Sequence, residues 1–195
     1  MGFENFKQYK LFFQGQLIAP PKTTSSNEME RLQLFLEQFD RSLVDRFVEL
    51  FEEYDRIVLF GLGPSYICLE YFTYKLETIS KKNIILAQEE ERALQLVDKN
   101  TLLIVFSVTG EFASYERLFE TAKQKGTTGL FVLEEYDPTS HQKADHVFYL
   151  TQSQQPGDRL PYEKSRTVFF IFMEEVFTAL YLKKAERDVF SRNPL

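Results

Sequence analysis

The 195-residue chain has no tryptophan, one cysteine and two histidines, and each shortage removes a class of function. A lone thiol closes no intrachain disulfide. Cys68 sits in an apolar helical stretch, where a buried thiol is the usual occupant. Metal chemistry needs clustered nitrogen, sulfur or carboxylate ligands. His141 and His146 flank a turn and a strand start with no third partner in view, so no metal and no cofactor are expected. Long apolar runs are missing too: LLIVF (102–106) and TVFFIFM (167–173) fall well short of the ~20 residues that span a bilayer. The opening residues MGFENFKQYK carry no secretory signal. The expectation is a cytoplasmic protein with no membrane partner. Positive charge is also scarce, with 23 Lys and Arg against 29 Asp and Glu and a net charge of −6. That balance argues against DNA binding by this chain alone.

What the chain has in quantity is phenylalanine, 20 residues within a hydrophobic content of 44 %. This supports one well-buried core, and the length is too short for two comfortable domains. Phe3, Phe6, Tyr9, Phe13 and Leu17 recur at three- and four-residue steps and predict a helical segment over 1–17. IAPPKTTSSN (18–27) breaks it with two prolines and reads as a linker. One domain over 28–188 follows. It opens on an apolar stripe, Met29, Leu32, Phe35, Leu36, Phe39, Leu43, Phe47, Leu50 and Tyr54, spread over two helices. Asn27 is its N-cap, and Glu30 closes a capping box.

After Asp55 come short apolar runs, RIVLFG (56–61), NIILA (83–87), TLLIVFS (101–107), TGLFVL (128–133) and HVFYLT (146–151), alternating with helical patterns at about 65–80, 90–98 and 113–125 and a short turn near 138–144. Continuous rather than alternating apolar strands are buried on both faces. Strand–helix alternation calls for a parallel sheet with right-handed crossovers. The predicted fold class is α/β: a three-layer α-β-α arrangement around a five-stranded parallel sheet, flavodoxin-like, preceded by a helical N-terminal extension. A last helix over 162–186 is apolar almost all round, which implies burial against the sheet and a second surface. TQSQQPGDRLP (151–161) is a long polar connection of the kind that often carries function.

Ligands of open α/β sheets bind beyond the carboxyl ends of the strands, and two strand ends stand out. GLGPSY (61–66) offers Gly61 and Gly63 for a tight turn, Pro64 for a first helical position and the Ser65 hydroxyl. SVTGEFAS (107–114) offers Ser107, Thr109, Gly110, Glu111 and Ser114 ahead of a helix. Hydroxyls and free N–H groups at a strand-to-helix junction suit an oxyanion, phosphate first. An ordinary capped helix start is the alternative. The first turn carries half of a dinucleotide fingerprint, but Tyr66 stands where a third glycine is needed, and no P-loop sequence is present. The acids Glu89, Glu90 and Glu91 read as a solvated first helical turn.

GLGPS after the first strand and S-x-T-G-E after the third resemble the sugar isomerase (SIS) domain, a resemblance that extends over 40–186. Segment order and helical lead-in look most like the effector domain of RpiR-type bacterial transcriptional regulators. MGFENFKQYKLFFQGQL (1–17) resembles the segment that ends their helix-turn-helix domain, with the DNA-reading helices absent from the chain. The resemblance implies that Gly63, Ser65, Ser107, Thr109, Gly110, Glu111 and Ser114 hold the phosphate of a phosphorylated sugar or amino sugar. It also implies a homodimer or higher homo-oligomer, with DNA reached only through an upstream domain. Two departures matter. Phe112 occupies the motif's last hydroxyl position, with Ser114 as the substitute on offer. In SIS isomerases a glutamate near the start of the final helix serves as acid or base; Pro161 aligns there, and Glu163 is the stand-in. Three readings remain open: a phosphosugar sensor that does not turn its ligand over, a sugar-phosphate isomerase with Glu163 as base, or a dimerisation module whose pocket Phe112 has closed.

Overall fold

The computed structural model describes residues 25–192 apart from 138, 141 and 142. The expected helix over 1–17, most of the linker 18–27 and His141 lie outside the described residues. Five runs rich in β-branched and aromatic residues, which suit a pleated buried surface, pair into one sheet. They are β1 (Arg56–Gly61), β2 (Asn83–Ala87), β3 (Thr101–Ser107), β4 (Thr128–Leu133) and β5 (His146–Tyr149). Their order is β2-β1-β3-β4-β5, and every pair is parallel. The order reverses between β1 and β3, the position at which such sheets open a ligand crevice. All of β3 is buried, while the edge strands β2 and β5 are only partly covered. β5 stops at Tyr149, two residues before the expected 151, although Leu150 and Thr151 still donate to the carbonyls of Leu133 and Glu134.

The helices are α1 (Ser25–Gln38), α2 (Ser42–Glu53), α3 (Pro64–Ile79), α4 (Glu90–Leu96), α5 (Ala113–Gln124) and α6 (Thr167–Arg192). They cover both faces. One core joins α2, α3 and α6 to the sheet through Phe47, Phe72, Phe106, Phe169 and Phe172; the other joins α4 and α5 to it through Ala93, Tyr115, Leu118, Phe119 and Phe131. The result is the three-layer α-β-α arrangement. No helix among the described residues is long and apolar enough to cross a membrane.

Three expectations fail locally. α1 starts at Ser25, so Asn27 lies inside the helix and is not its cap. Phe35, Leu43, Phe47 and Leu50 of the stripe are buried, but Met29 and Leu36 are exposed, because α1 touches the domain along a narrow line. The last helix starts at Thr167 and not at 162. Side chains take the backbone groups of the intervening residues: Gln155 donates to the Ser165 carbonyl and accepts from the Ser165 N–H, and Arg166 donates to the carbonyls of Pro161 and Lys164. Those bonds compete with the helical ladder.

Candidate functional site at the strand ends

The β1 and β3 chain ends lie side by side, with Gly61 paired to Phe106. After β1 the chain turns through Gly63 at φ +53°, and α3 begins at Pro64 with no side-chain cap. Ser65 is buried in its first turn. After β3, Ser107 folds back on its own turn: its Oγ accepts the Gly110 N–H at 3.1 Å, and the Thr109 Oγ1 accepts the Glu111 N–H at 3.4 Å. Gly110 takes φ +71°, and a Cβ there would lie 2.9 Å from the Leu133 Cδ2 and 3.0 Å from the Ser140 Oγ. Lys143 donates to the Gly110 carbonyl at 3.0 Å, which brings a cation to the turn. α5 also starts without a side-chain cap, and while the Tyr115 N–H donates to the Phe112 carbonyl, the N–H groups of Ala113 and Ser114 are left for solvent or an anion.

Ser65, Ser107, Thr109 and Gly110 are thus buried together around this crevice, Ser114 is half-buried, and Gly63 and Glu111 are exposed at its rim. Phe112 is 44 % exposed, with its ring edge-on to Tyr115 at 5.8 Å. The ring is turned partly toward solvent. Glu163 accepts the Leu160 N–H at 3.1 Å in an exposed turn. His146 starts β5 and so lies at the far, amino-terminal end of the sheet. No group of three metal-ligating side chains occurs among the described residues. Cys68 is buried, and burial pushes its thiol up to about 11.

Several site residues carry no sequence signal of their own. Tyr115 is fully buried, and its hydroxyl lies near the Ser107 side chain and the Leu62 backbone, between the two turns. Burial pushes that phenol up to about 12, so it stays protonated at neutral pH. Glu134 and Glu135 extend β4, and their N–H groups donate to the carbonyls of Ser107 and Val108 at 3.2 and 2.9 Å. Both carboxyls are buried. Glu134 is paired with Arg31 at 2.6 Å, and Glu135 with Lys164 at 2.8 Å. Gln155 joins them, donating its amide to Glu134 at 2.6 Å and its N–H to Glu135 at 2.7 Å. Burial raises the Glu134 carboxyl to about 7 against the pull of Arg31. Burial also draws the Arg166 guanidinium below its ordinary value, with Cys68, Glu134, Tyr115 and Glu135 as its electrostatic neighbours. The one available hint was LFVLEE, two acids continuing an apolar strand.

The chain has 27 % identity over 104 residues to the glutamine–fructose-6-phosphate aminotransferase [isomerizing] of Pyrococcus horikoshii, a match covering 52 % of this chain and 17 % of that relative. The chain therefore spans less than a fifth of that curated relative. Its fold is similar to the sugar isomerase domain of an RpiR transcription factor from Sphaerobacter thermophilus, with a TM-score of 0.67 and 17 % identity over 84 % of this chain and 90 % of that one. It is equally similar to the Vibrio vulnificus NanR protein complexed with ManNAc-6P, with a TM-score of 0.67 and 15 % identity over 96 % of this chain and 74 % of that one. The SIS domain model matches residues 50–178, about two thirds of the chain and the whole stretch from the end of α2 into α6. The chain belongs to the SIS domain family.

Proposed function

We propose that this domain is the phosphosugar-binding effector unit of an RpiR-type transcriptional regulator, which binds a phosphorylated sugar or amino sugar without turning it over. The observation that carries the reading is the uncapped start of α5 set among buried hydroxyls: an N-terminus with unpaired N–H groups, beside Ser107, Thr109 and Ser65, is an oxyanion cradle. The RpiR and NanR folds support the regulator assignment, and the acidic balance of this chain leaves DNA contact to an upstream domain. The anchored positions are Gly63, Ser65, Ser107, Thr109, Gly110, Glu111 and Ser114. Calorimetric titration with hexose phosphates, amino-sugar phosphates and inorganic phosphate tests the reading. Binding of at least one sugar phosphate, weakened about tenfold or more in Thr109→Val, supports it; no heat from any member with folded protein refutes it.

The assembly reading is a homodimer. Ile67, Tyr71 and Tyr74 on α3 and Phe170 and Tyr181 on α6 are exposed, and the two stripes meet where Tyr71 contacts Phe170 at 5.4 Å between ring centres. Lys75 spans the same seam, 3.9 Å from the Phe177 ring centre and 3.0 Å from Glu174. A continuous aromatic face over two helices suits a second copy of the chain. Sedimentation of wild type and Tyr74→Asp decides it: a dimer that the variant dissociates is the expected result.

The enzyme reading is favoured by one observation, the isomerizing relative. It assigns the base to Glu163, and turnover of fructose 6-phosphate that is lost in Glu163→Ala would establish it in place of the sensor.

A further inference from the structure

Glu134 stands one residue past the pairing of Leu133 with Ser107. Its carboxyl is only 1 % exposed. The Oε1 atom accepts both Arg31 of α1 and Gln155 of the connection into α6, each at 2.6 Å, while the Oε2 atom is buried without a partner. On the other side of this link, α1 is weakly seated. Of its described side chains only Arg31 and Phe35 are buried, while Met29, Leu34 and Leu36 are exposed. Phe35, the partly buried Leu32 and the Arg31–Glu134 ion pair hold it at this end of the sheet. The ion pair has an alternative in place, since the Arg31 Nε and Nη2 atoms also donate to Glu28 on the same helix at 3.0 and 2.7 Å. A guanidinium shared between a carboxylate of its own helix and one at the strand ends keeps a strong partner in either position. Loss of the Glu134 bond therefore leaves Arg31 paired on its own helix.

We infer that Glu134 couples occupancy of the anion site to the seating of α1: a dianion at the 107–114 turn disfavours the neighbouring charged carboxylate, Arg31 is left with Glu28 alone, and α1 loosens. This rests on the anion-site reading above. The groups that face Glu134 are Arg31 from α1, Glu135 from its own strand end, Gln155 and Arg166 from the connection into α6, and Cys68 from α3. Burial already holds the Glu134 carboxyl at about 7 despite the two guanidinium groups, so a modest negative potential added nearby shifts it to the neutral form. Coupling is reciprocal, so whatever the anion does to Glu134, Glu134 does to the affinity for the anion.

Amide hydrogen exchange of α1 in the full chain, with and without fructose 6-phosphate or inorganic phosphate, tests the coupling alongside calorimetric affinities for the same two probes. Binding of a probe raises α1 exchange in the wild type. Glu134→Gln shows raised exchange with no probe, gives no further response, and binds the probe about 5- to 10-fold tighter. Glu135→Gln removes the adjacent charge without touching α1 and keeps the response. Should Glu134→Gln not fold, Arg31→Gln cuts the same link from the other side and shows the same raised exchange. Heat of binding with α1 exchange unchanged overturns the coupling and leaves the anion site standing. No heat from either probe overturns the site and the coupling with it. A response abolished equally in Glu135→Gln overturns the route through Arg31.

Discussion

Gly110 and Gly63 form a pair for testing the geometry of the candidate cradle, because both take positive φ and they differ in surroundings. Both have positive φ, +71° and +53°, where a Cβ costs about 1–2 kcal/mol. Nothing lies within 4 Å of a Cβ built on Gly63, whereas one on Gly110 meets Leu133 at 2.9 Å and Ser140 at 3.0 Å. Neither contact yields readily: Leu133 is fully buried, and the Ser140 hydroxyl is tied to Asp137 at 2.6 Å. Overpacking of this kind adds about 1–3 kcal/mol, and the stiffer unfolded chain returns about 0.4–1 kcal/mol in both variants. Gly63→Ala is therefore expected to lose about 1 kcal/mol and Gly110→Ala about 2–4 kcal/mol. At about 2–4 °C per kcal/mol for a chain of this size, the second variant melts some ~4–15 °C lower. Urea denaturation followed by far-UV circular dichroism measures both, the absence of tryptophan making fluorescence a poorer probe. Equal losses in the two variants would show that Leu133 and Ser140 do not back the turn as described.

Three further outcomes follow from the buried polar groups. Burial raises the Glu134 carboxyl to about 7 in the fold from its ordinary value of 4.5, so its contribution to stability is fully present below about pH 4.5 and is lost as pH rises through 7. The stability gap between wild type and Glu134→Gln should shift by about 3 kcal/mol from pH 4.5 to 8 in denaturant titrations, and a pH-independent gap contradicts the assignment. Lys164→Met strands the Glu135 carboxylate, whose two oxygens both lie 2.8 Å from the ammonium, and should cost about 3–5 kcal/mol; Glu135→Met combined with it should recover most of that loss. Tyr115→Phe removes the hydroxyl between the two turns and should cost about 1 kcal/mol. A thermal melt that matches wild type refutes a stabilising contact of that hydroxyl with either turn.

The sheet was legible because burial on two faces leaves no room for polar residues, so β1, β2, β3 and β4 appear in the sequence with their observed ends. The two turns were legible for a related reason: glycine and hydroxyl residues interrupt apolar runs at strand ends, where the backbone must bend without losing hydrogen bonds. The connection over 151–166 was not. Its order comes from Gln155, Lys164 and Arg166 reaching carboxylates and carbonyls 10 to 29 residues away or only two to five residues away, and a run of polar residues looks the same in a sequence whether it is solvated or knotted. Arg31 and Glu134 lie 103 residues apart, and no local pattern announces such a pair. Phe112 misled for the opposite reason. A phenylalanine among hydroxyls suggests a plug, but its place at the N-cap of α5 leaves the ring over Tyr115 and half in solvent.

Two adjacent carboxylates buried at the end of β4 are hard to explain by stability. Desolvating an ion pair consumes most of what its attraction returns, and apolar pairs of similar volume are often as stable or more so. Here the arrangement needs four partners from two segments, Arg31 of α1 and Gln155, Lys164 and the neighbouring Arg166 of the connection into α6, and it still leaves the Glu134 Oε2 and the Arg166 Nε atoms without a hydrogen-bond partner. A core selected for strength alone would continue β4 past Leu133 in apolar residues. Their position explains them better. Their N–H groups bond directly to Ser107 and Val108, so any change of charge or fit at the 107–114 turn reaches Glu134 and Glu135 through one peptide unit, and reaches α1 and the connection into α6 through their cations. The polar cluster is where the proposed ligand site meets the elements that would report on it, and recovery of stability in the Glu135→Met and Lys164→Met double variant, with the α1 response to phosphate preserved, would separate the structural half of that cluster from the signalling half.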